Sequence, residues 1–136
     1  MNLKLNGYSH TCPEQVDMLL VGPTGRNAIP MSDVAGCSSI IEGINLTLDD
    51  EGAPSWPVPL TSGTYQPFDS DTTGSDSFPA PSGGATPPQD GGAALSAFDG
   101  TNPNGVWRLY IVDDDTTSLG RLAGGWSLEI KAKVRR

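Results

Sequence analysis

Glycine and proline constrain the fold of this chain more than any other residues. The chain has 136 residues, of which 17 are glycine and 12 are proline, and both residue types interrupt helices. Uninterrupted segments are too short and too few to supply several helices. The sequence therefore argues against a helical bundle and favours short strands joined by long loops. The length is that of a single domain, which we place at residues 1–136.

Alternation of apolar and polar residues predicts where the strands lie. It is clearest at residues 107–112 and again at 126–133, and together these segments predict a β-hairpin with a long acidic connection. Val16–Val21 is a nearly continuous apolar run, which is typical of a strand buried on both faces, and the glycine–proline turn of residues 22–25 follows it. With further alternation at residues 3–6 and 44–49, the sequence predicts an all-β fold, an antiparallel β-sandwich or jelly roll of seven to nine short strands.

Residues 50–94 differ from the rest of the chain. Eight of the twelve prolines lie between positions 54 and 88, and large apolar residues are few. A connection of this length in a compact domain is typical of a functional or disordered segment, although a surface insertion without a role is the alternative. We expect Trp56, Tyr65 and Phe68 to anchor its first half to the sandwich, and residues 69–92 to move more freely.

The charge of the chain excludes two classes of partner. The formal net charge is −8, and four of the eight basic residues lie in a basic tail at residues 131–136. A surface this acidic repels phosphate backbones and anionic lipids, so neither nucleic-acid binding nor membrane binding is expected. No apolar run is long enough to insert into a bilayer. Cations are the natural partners of such a chain.

Two cysteines, Cys12 and Cys37, are separated by 25 positions. They have neither the short spacing nor the companion histidines of a zinc site. The pair predicts one disulfide and hence an extracellular or cell-surface location. Two buried free thiols are the alternative.

Clustered carboxylates indicate a cation site, because hard cations such as Ca²⁺ bind several convergent oxygen atoms. The best candidates are Asp49, Asp50 and Glu51, followed by Asp113, Asp114 and Asp115. Asp69 and Asp71 with Asp76 form a third acidic cluster. Its run Asp69-x-Asp71-x-Thr73-Gly74 resembles the first half of an EF-hand loop, but position twelve is Ala80 instead of glutamate and no flanking helices are expected. Each cluster has an alternative interpretation as turn-capping or solvated acids.

Catalysis is not predicted. His10 is the single histidine, and no serine lies in a nucleophile-turn motif that could complete a triad with it. We therefore predict that His10 is structural and hydrogen-bonds across a turn, with Asp17 as a candidate partner.

The motifs of the chain, taken in order, resemble those of one known family. A His-Thr step precedes an apolar strand that contains an aspartate and ends at a Gly-Pro-Thr-Gly turn (residues 10–25). Gly-Thr-Tyr-Gln-Pro (63–67), Leu-Ser-Ala-Phe-Asp-Gly (95–100), Asn-Gly-Val-Trp (104–107) and Gly-Trp-Ser-Leu (125–128) follow. The sequence resembles the P domain of secreted subtilisin-like proprotein convertases over about residues 3–131. The long insertion before residue 95 is similar to that of bacterial extracellular members, and no segment resembles a subtilisin catalytic core.

The resemblance implies a non-catalytic accessory or interaction domain. Such a domain would stabilise or display the neighbouring domains of a larger extracellular protein, which in the convertases includes a subtilisin-like protease. It also implies that Trp107 and Trp126 are buried core residues and that His10 is structural. A carbohydrate-binding module is the alternative, with Trp56, Tyr65 and Phe68 as the glycan platform, and an enzyme is disfavoured.

Overall fold

The fold consists of two packed β-sheets, which confirms the predicted all-β sandwich. A computed structural model describes residues 1–71, 76–78, 80 and 87–132. Its strands are β1 (Asn2–His10), β2 (Val16–Val21), β3 (Asn27–Ser32), β4 (Ile41–Ala53), β5 (Gly63–Tyr65), β6 (Phe68–Asp69), β7 (Arg108–Asp113), β8 (Gly120–Leu122) and β9 (Trp126–Glu129). Two 3₁₀ helices, Pro13–Gln15 and Leu95–Phe98, complete the regular elements of these residues.

The strands pair out of sequence order. The first sheet has the order β5-β4-β1-β8, with β9 also paired to β1, and the second sheet has the order β6-β3-β2-β7. Most pairs are antiparallel, but β4 with β5 and β3 with β6 are parallel. The long connection supplies β5 and β6, one for each sheet, so it joins both layers of the sandwich.

The predicted C-terminal hairpin is wrong, because its two strands belong to different sheets. β7 pairs with β2, whereas β9 pairs with β1. The connection between them crosses from the second sheet to the first. Alternation shows that each segment has one apolar face, but it does not show which strand lies beside it.

The main core lies between the sheets and follows from the alternation in each strand. Leu3 and Leu5 of β1, Met18 and Leu20 of β2, and Leu46 and Leu48 of β4 are almost fully buried there. Leu95 and Phe98 of the second 3₁₀ helix join the same cluster. These pairs of residues are two positions apart in each of the three strands, as the period of a pleated strand requires.

A second apolar cluster covers the outer face of the second sheet. Leu19 and Ile29 pack there against Phe78 of the long connection, which is only 1% exposed. Leu19 lies between Met18 and Leu20 in β2, so it must point away from the main core. This confirms that β2 is buried on both faces, and it identifies the long connection as the cover.

The described part of residues 69–92 makes specific contacts with the second sheet. Besides Phe78, residues 90–92 are tied to β3: Asn27 donates from Nδ2 to Asp90 Oδ1 at 2.6 Å, and the Gly91 amide donates to Asn27 Oδ1 at 2.9 Å. A Cβ atom on Gly91 would lie 1.5 Å from the Asn27 carbonyl oxygen. Only glycine allows the backbone to approach β3 this closely. Residues 72–75, 79 and 81–86 lie outside the described residues.

The first half of the connection is anchored largely as predicted. Trp56 and Tyr65 stack with ring centroids 5.3 Å apart, Tyr65 is buried, and Trp56 donates from Nε1 to the Gln66 carbonyl oxygen. Phe68 is the exception, since it is 50% exposed on the short strand β6.

Trp107, which lies just before β7, and Trp126 of β9 differ in how far their side chains are buried. Trp107 is partly buried against Phe98, with ring centroids 5.0 Å apart, and donates from Nε1 to the Pro103 carbonyl oxygen. The prediction of a buried Trp126 is wrong, because its side chain is 37% exposed. Within the described residues β9 pairs with β1 alone, so a large ring on it lies at the rim of the sandwich.

The predicted disulfide between Cys12 and Cys37 is present. It ties the first 3₁₀ helix to the segment between β3 and β4 across 25 positions. In the chain-entropy model, a loop of this size stabilises the fold by about 3 kcal/mol.

Candidate metal centre

Aspartates from all four strands of the second sheet meet at one end of that sheet. Asp17 of β2 lies opposite Ser32 of β3, and Ser32 lies beside Asp69 of β6. Asp33 follows β3 directly, and Asp114 follows β7. Because neighbouring strands bring these positions into register, residues far apart in sequence become neighbours.

Two of these aspartates, Asp17 and Asp33, form with Asp76 a group that we define as the carboxylate site. One oxygen from each lies within 4.8 Å of the others. Asp76 belongs to the long connection, two positions before the buried Phe78, so the same anchor holds both residues in place. The site therefore joins a strand, a strand end and the connection that covers the sheet.

The Ser32 hydroxyl lies at the centre of the carboxylate site. Its oxygen is 2.9 Å from Asp17 Oδ1, 2.7 Å from Asp76 Oδ2 and 3.3 Å from Asp33 Oδ2. A hydroxyl has one proton, so it can donate to one of these three oxygens. The other carboxylates need a proton of their own or a cation, because unprotonated oxygen atoms this close together repel each other.

The charges around the carboxylate site are negative. Asp69, Asp71 and Asp114 lie close enough to act on it electrostatically. Among the described residues, the close contacts between a basic and an acidic side chain are Lys4 with Glu129 and His10 with Asp113. Neither pair involves the three carboxylates of the site.

Burial raises the pKa of Asp17 to about 8, and neighbouring Asp114, Asp76 and Asp33 add to this while the Ser32 hydroxyl opposes it. The Asp17 side chain is fully enclosed, at 1% exposure for the residue. Burial and nearby carboxylates also raise the pKa values of Asp33, Asp69 and Asp76. A buried group of this kind holds a proton or binds a cation at neutral pH.

The structure does not bring together the carboxylates that were expected to form the best cation site, Asp49, Asp50 and Glu51. Asp49 and Asp50 accept hydrogen bonds from backbone amides. Asp50 accepts the backbone amides of Leu95 and Ser96, both at 2.8 Å, and so caps the second 3₁₀ helix. Asp49 accepts the amide of Glu51, which is exposed. Within the described ranges these three carboxylates do not converge on one point.

The second predicted triplet is divided among three roles. Asp113 lies 2.6 Å from His10, and Asp115 accepts hydrogen bonds from Gln15 and Thr117, which lower its pKa. The largest of these effects is the Thr117 amide bond. Only Asp114 lies beside the carboxylate site.

His10 is buried, and both of its ring nitrogens are occupied. Nδ1 accepts the Cys12 amide at 2.8 Å, so Nε2 carries the proton and donates to Asp113 Oδ2 at 2.6 Å. The predicted partner Asp17 is therefore wrong, because Asp17 belongs to the other sheet and faces Ser32. Through these two hydrogen bonds His10 links β1 to the end of β7.

The three aromatic residues considered for glycan binding do not form a platform. Trp56 and Tyr65 stack on each other against the main core, and of the three only Phe68 presents an exposed ring. β5 and β6 lie in different sheets. This arrangement argues against the carbohydrate-binding alternative for these rings.

Sequence reasoning placed Asp76 in an acidic cluster but missed its convergence with Asp17 and Asp33, although Asp17 carried a signal. Asp17 is the single charged residue in the apolar run Val16–Val21, and a charge in a doubly buried strand requires a partner. Asp33 carried no comparable signal. Its proximity depends on the pairing of β2 with β3, which the sequence does not specify.

Comparison with protein-family models, with curated proteins and with solved structures finds no match. In the described part of the chain, no helix has the length and apolarity needed to cross a membrane.

Proposed function

We propose that this chain is a P-domain-like accessory and interaction domain of a larger extracellular protein, without catalytic activity of its own. The order of its motifs, from the His-Thr step at residue 10 to Gly-Trp-Ser-Leu at 125–128, supports this reading, as do the sandwich fold and the disulfide. Both nitrogens of its single histidine serve structural hydrogen bonds.

Ca²⁺ is the cation that this domain would bind. The observation that carries the proposal is the carboxylate site itself, in which three carboxylates surround one hydroxyl. Calcium takes six to eight oxygen ligands. Asp17, Asp33 and Asp76 would hold it, and Asp69, Asp71 and Asp114, which act on the site electrostatically, are the candidates for the remaining ligands. Mg²⁺ requires a tighter octahedral geometry and retains several water ligands. A group of convergent carboxylates therefore suits Mg²⁺ less well than Ca²⁺.

Replacing Asp17 with asparagine tests the cation site. In the parent chain, Ca²⁺ at 100 times its Kd should add about 2.7 kcal/mol to the free energy of unfolding. Asp17→Asn should lose this response and should be more stable than the parent in chelator at neutral pH, because an amide does not have to take up a proton on folding, whereas the buried Asp17 carboxyl with its raised pKa does. Thermal unfolding with Ca²⁺ and with chelator measures both effects.

The matched control is Glu51→Gln, which removes an exposed carboxylate from the triplet that the sequence favoured. It should retain the full response to Ca²⁺. Melting curves of the parent chain that coincide with and without Ca²⁺ would refute the site. If Glu51→Gln loses the response to Ca²⁺ and Asp17→Asn keeps it, the cation site lies at the triplet of residues 49–51 instead.

Deletion of this domain from its parent protein tests the accessory role. An accessory domain stabilises its neighbours, so the remaining domains should melt at a lower temperature or be secreted in lower yield. The control is the parent carrying Glu51→Gln, which leaves the fold intact. Neighbouring domains that melt and secrete as before would contradict the proposal.

A further inference from the structure

The edges of the two sheets are protected unequally. An exposed strand edge invites pairing with another chain, and proteins guard such edges with short strands, prolines or bulges. Among the described residues, β5 has three residues, β6 has two and follows Pro67, and the remaining edge of the first sheet is divided between β8 and β9. The edge strand β7 has none of these protections.

β7 is long and regular for an edge strand. Arg108–Asp113 pairs with β2 at six consecutive positions without a bulge, and within the described residues it pairs with no other strand. Residues 110–112 are Tyr-Ile-Val, all of which favour strands. The sequence of this edge is therefore suited to accept a further strand.

The middle of this strand is also incompletely covered. Ile111 is 47% exposed, although its cross-strand partner Met18 is fully buried. Leu109 packs against the main core, and Ile111 shares its face because strand side chains alternate. The first sheet therefore does not fully cover the inner face of β7, and the aliphatic side chain of Ile111 is exposed there.

We propose that β7 pairs with β7 of a second copy of this chain, antiparallel and centred on Ile111. This register keeps the two faces of the sheet aligned and places Arg108 of each copy opposite Asp114 of the other. A parallel arrangement would instead place Arg108 near Arg108. The antiparallel pairing is isologous, as closed two-fold dimers require, and it joins the two four-stranded sheets into one sheet of eight strands.

The net charge sets the conditions under which this dimer should form. Each copy carries a formal charge of −8, so the two copies repel each other at low ionic strength. Salt screens this repulsion within about 10 Å at 0.1 M. The proposed dimer shares Asp114 with the carboxylate site, which Asp114 borders, so the variants below leave Asp114 unchanged.

Sedimentation velocity of the complete chain over a range of concentrations tests the dimer. We expect a monomer–dimer equilibrium in 0.15 M salt that Ile111→Lys shifts to monomer and that Arg108→Glu weakens at least tenfold. Leu119→Lys, which alters an exposed aliphatic residue outside β7, should leave the equilibrium unchanged. A chain that remains monomeric up to millimolar concentration overturns the proposal, as does a dimer that survives Ile111→Lys.

A cysteine at position 111 tests the register. Directly opposed residues of an antiparallel pair have Cα atoms about 4.5–5.5 Å apart, which suits a disulfide. Under mild oxidation, Ile111→Cys should form a covalent dimer, whereas Val106→Cys, exposed and outside the strand, should not. Equal cross-linking by both variants would show random collision and would count against this register.

Discussion

Replacing Phe78 with alanine is expected to lower the free energy of unfolding by about 3–5 kcal/mol. The ring is enclosed by Leu19 and Ile29 and flanked by Val21, Tyr110 and Val112. Its loss leaves a cavity and also exposes the outer face of the second sheet. Chemical denaturation followed by circular dichroism measures the change, since domains of this size commonly unfold in one step.

Phe68→Ala is the matched control for this prediction. Both phenylalanines lie in the long connection, but Phe68 is 50% exposed, so its truncation should cost less than about 1 kcal/mol. Equal losses in the two variants would contradict the assignment of Phe78 as the anchor. A loss below 1 kcal/mol in Phe78→Ala would show that the connection does not cover the sheet.

The same substitution should weaken the cation site. Asp76 lies two positions before Phe78 and reaches Ser32 from the connection. If the anchor is lost, Asp76 is free to leave the carboxylate site, and the remaining ligands come from the sheet alone. Phe78→Ala should therefore bind Ca²⁺ more weakly than Phe68→Ala, which links the cover of the sheet to the proposed ligand.

Much of the fold was predictable because burial imposes a period on each strand. Alternation located β1, β4, β7 and β9, and the apolar run located β2. Their pairing was not predictable, since the C-terminal segments looked like a hairpin and yet β7 and β9 joined different sheets. Trp126 shows the same limit, because its exposure depends on β9 lying at an edge.

The candidate site was less predictable than the fold, because it depends on pairing. Adjacent carboxylates in the sequence, such as Asp49 and Asp50, point in different directions along a strand. The carboxylate site instead takes single residues from separate elements that meet through the register of β2 with β3. The sequence placed Asp76 in an acidic cluster, and Asp17 could have been recognised as a charge inside a buried strand.

In chelator, the free energy of unfolding should fall as the pH rises from about 4 to 8. The pKa of Asp17 is near 3.8 when unfolded and is raised by burial to about 8 in the fold. Across that window the folded chain binds more protons than the unfolded chain, so raising the pH favours unfolding. Each unit of pKa difference corresponds to about 1.4 kcal/mol. Asp33, Asp69 and Asp76, whose pKa values are also raised, act in the same direction.

Saturating Ca²⁺ should remove this fall, because the cation replaces the protons on these carboxylates. Calcium binding requires ionised oxygens, so its affinity increases with pH. Stability curves measured with Ca²⁺ and with chelator should therefore coincide near pH 4 and separate progressively towards pH 8. Asp17→Asn should flatten the chelator curve, since the group with the largest raised pKa is gone. A chelator curve that rises with pH, or one that Asp17→Asn leaves unchanged, would show that the buried carboxylates do not control the stability of this domain.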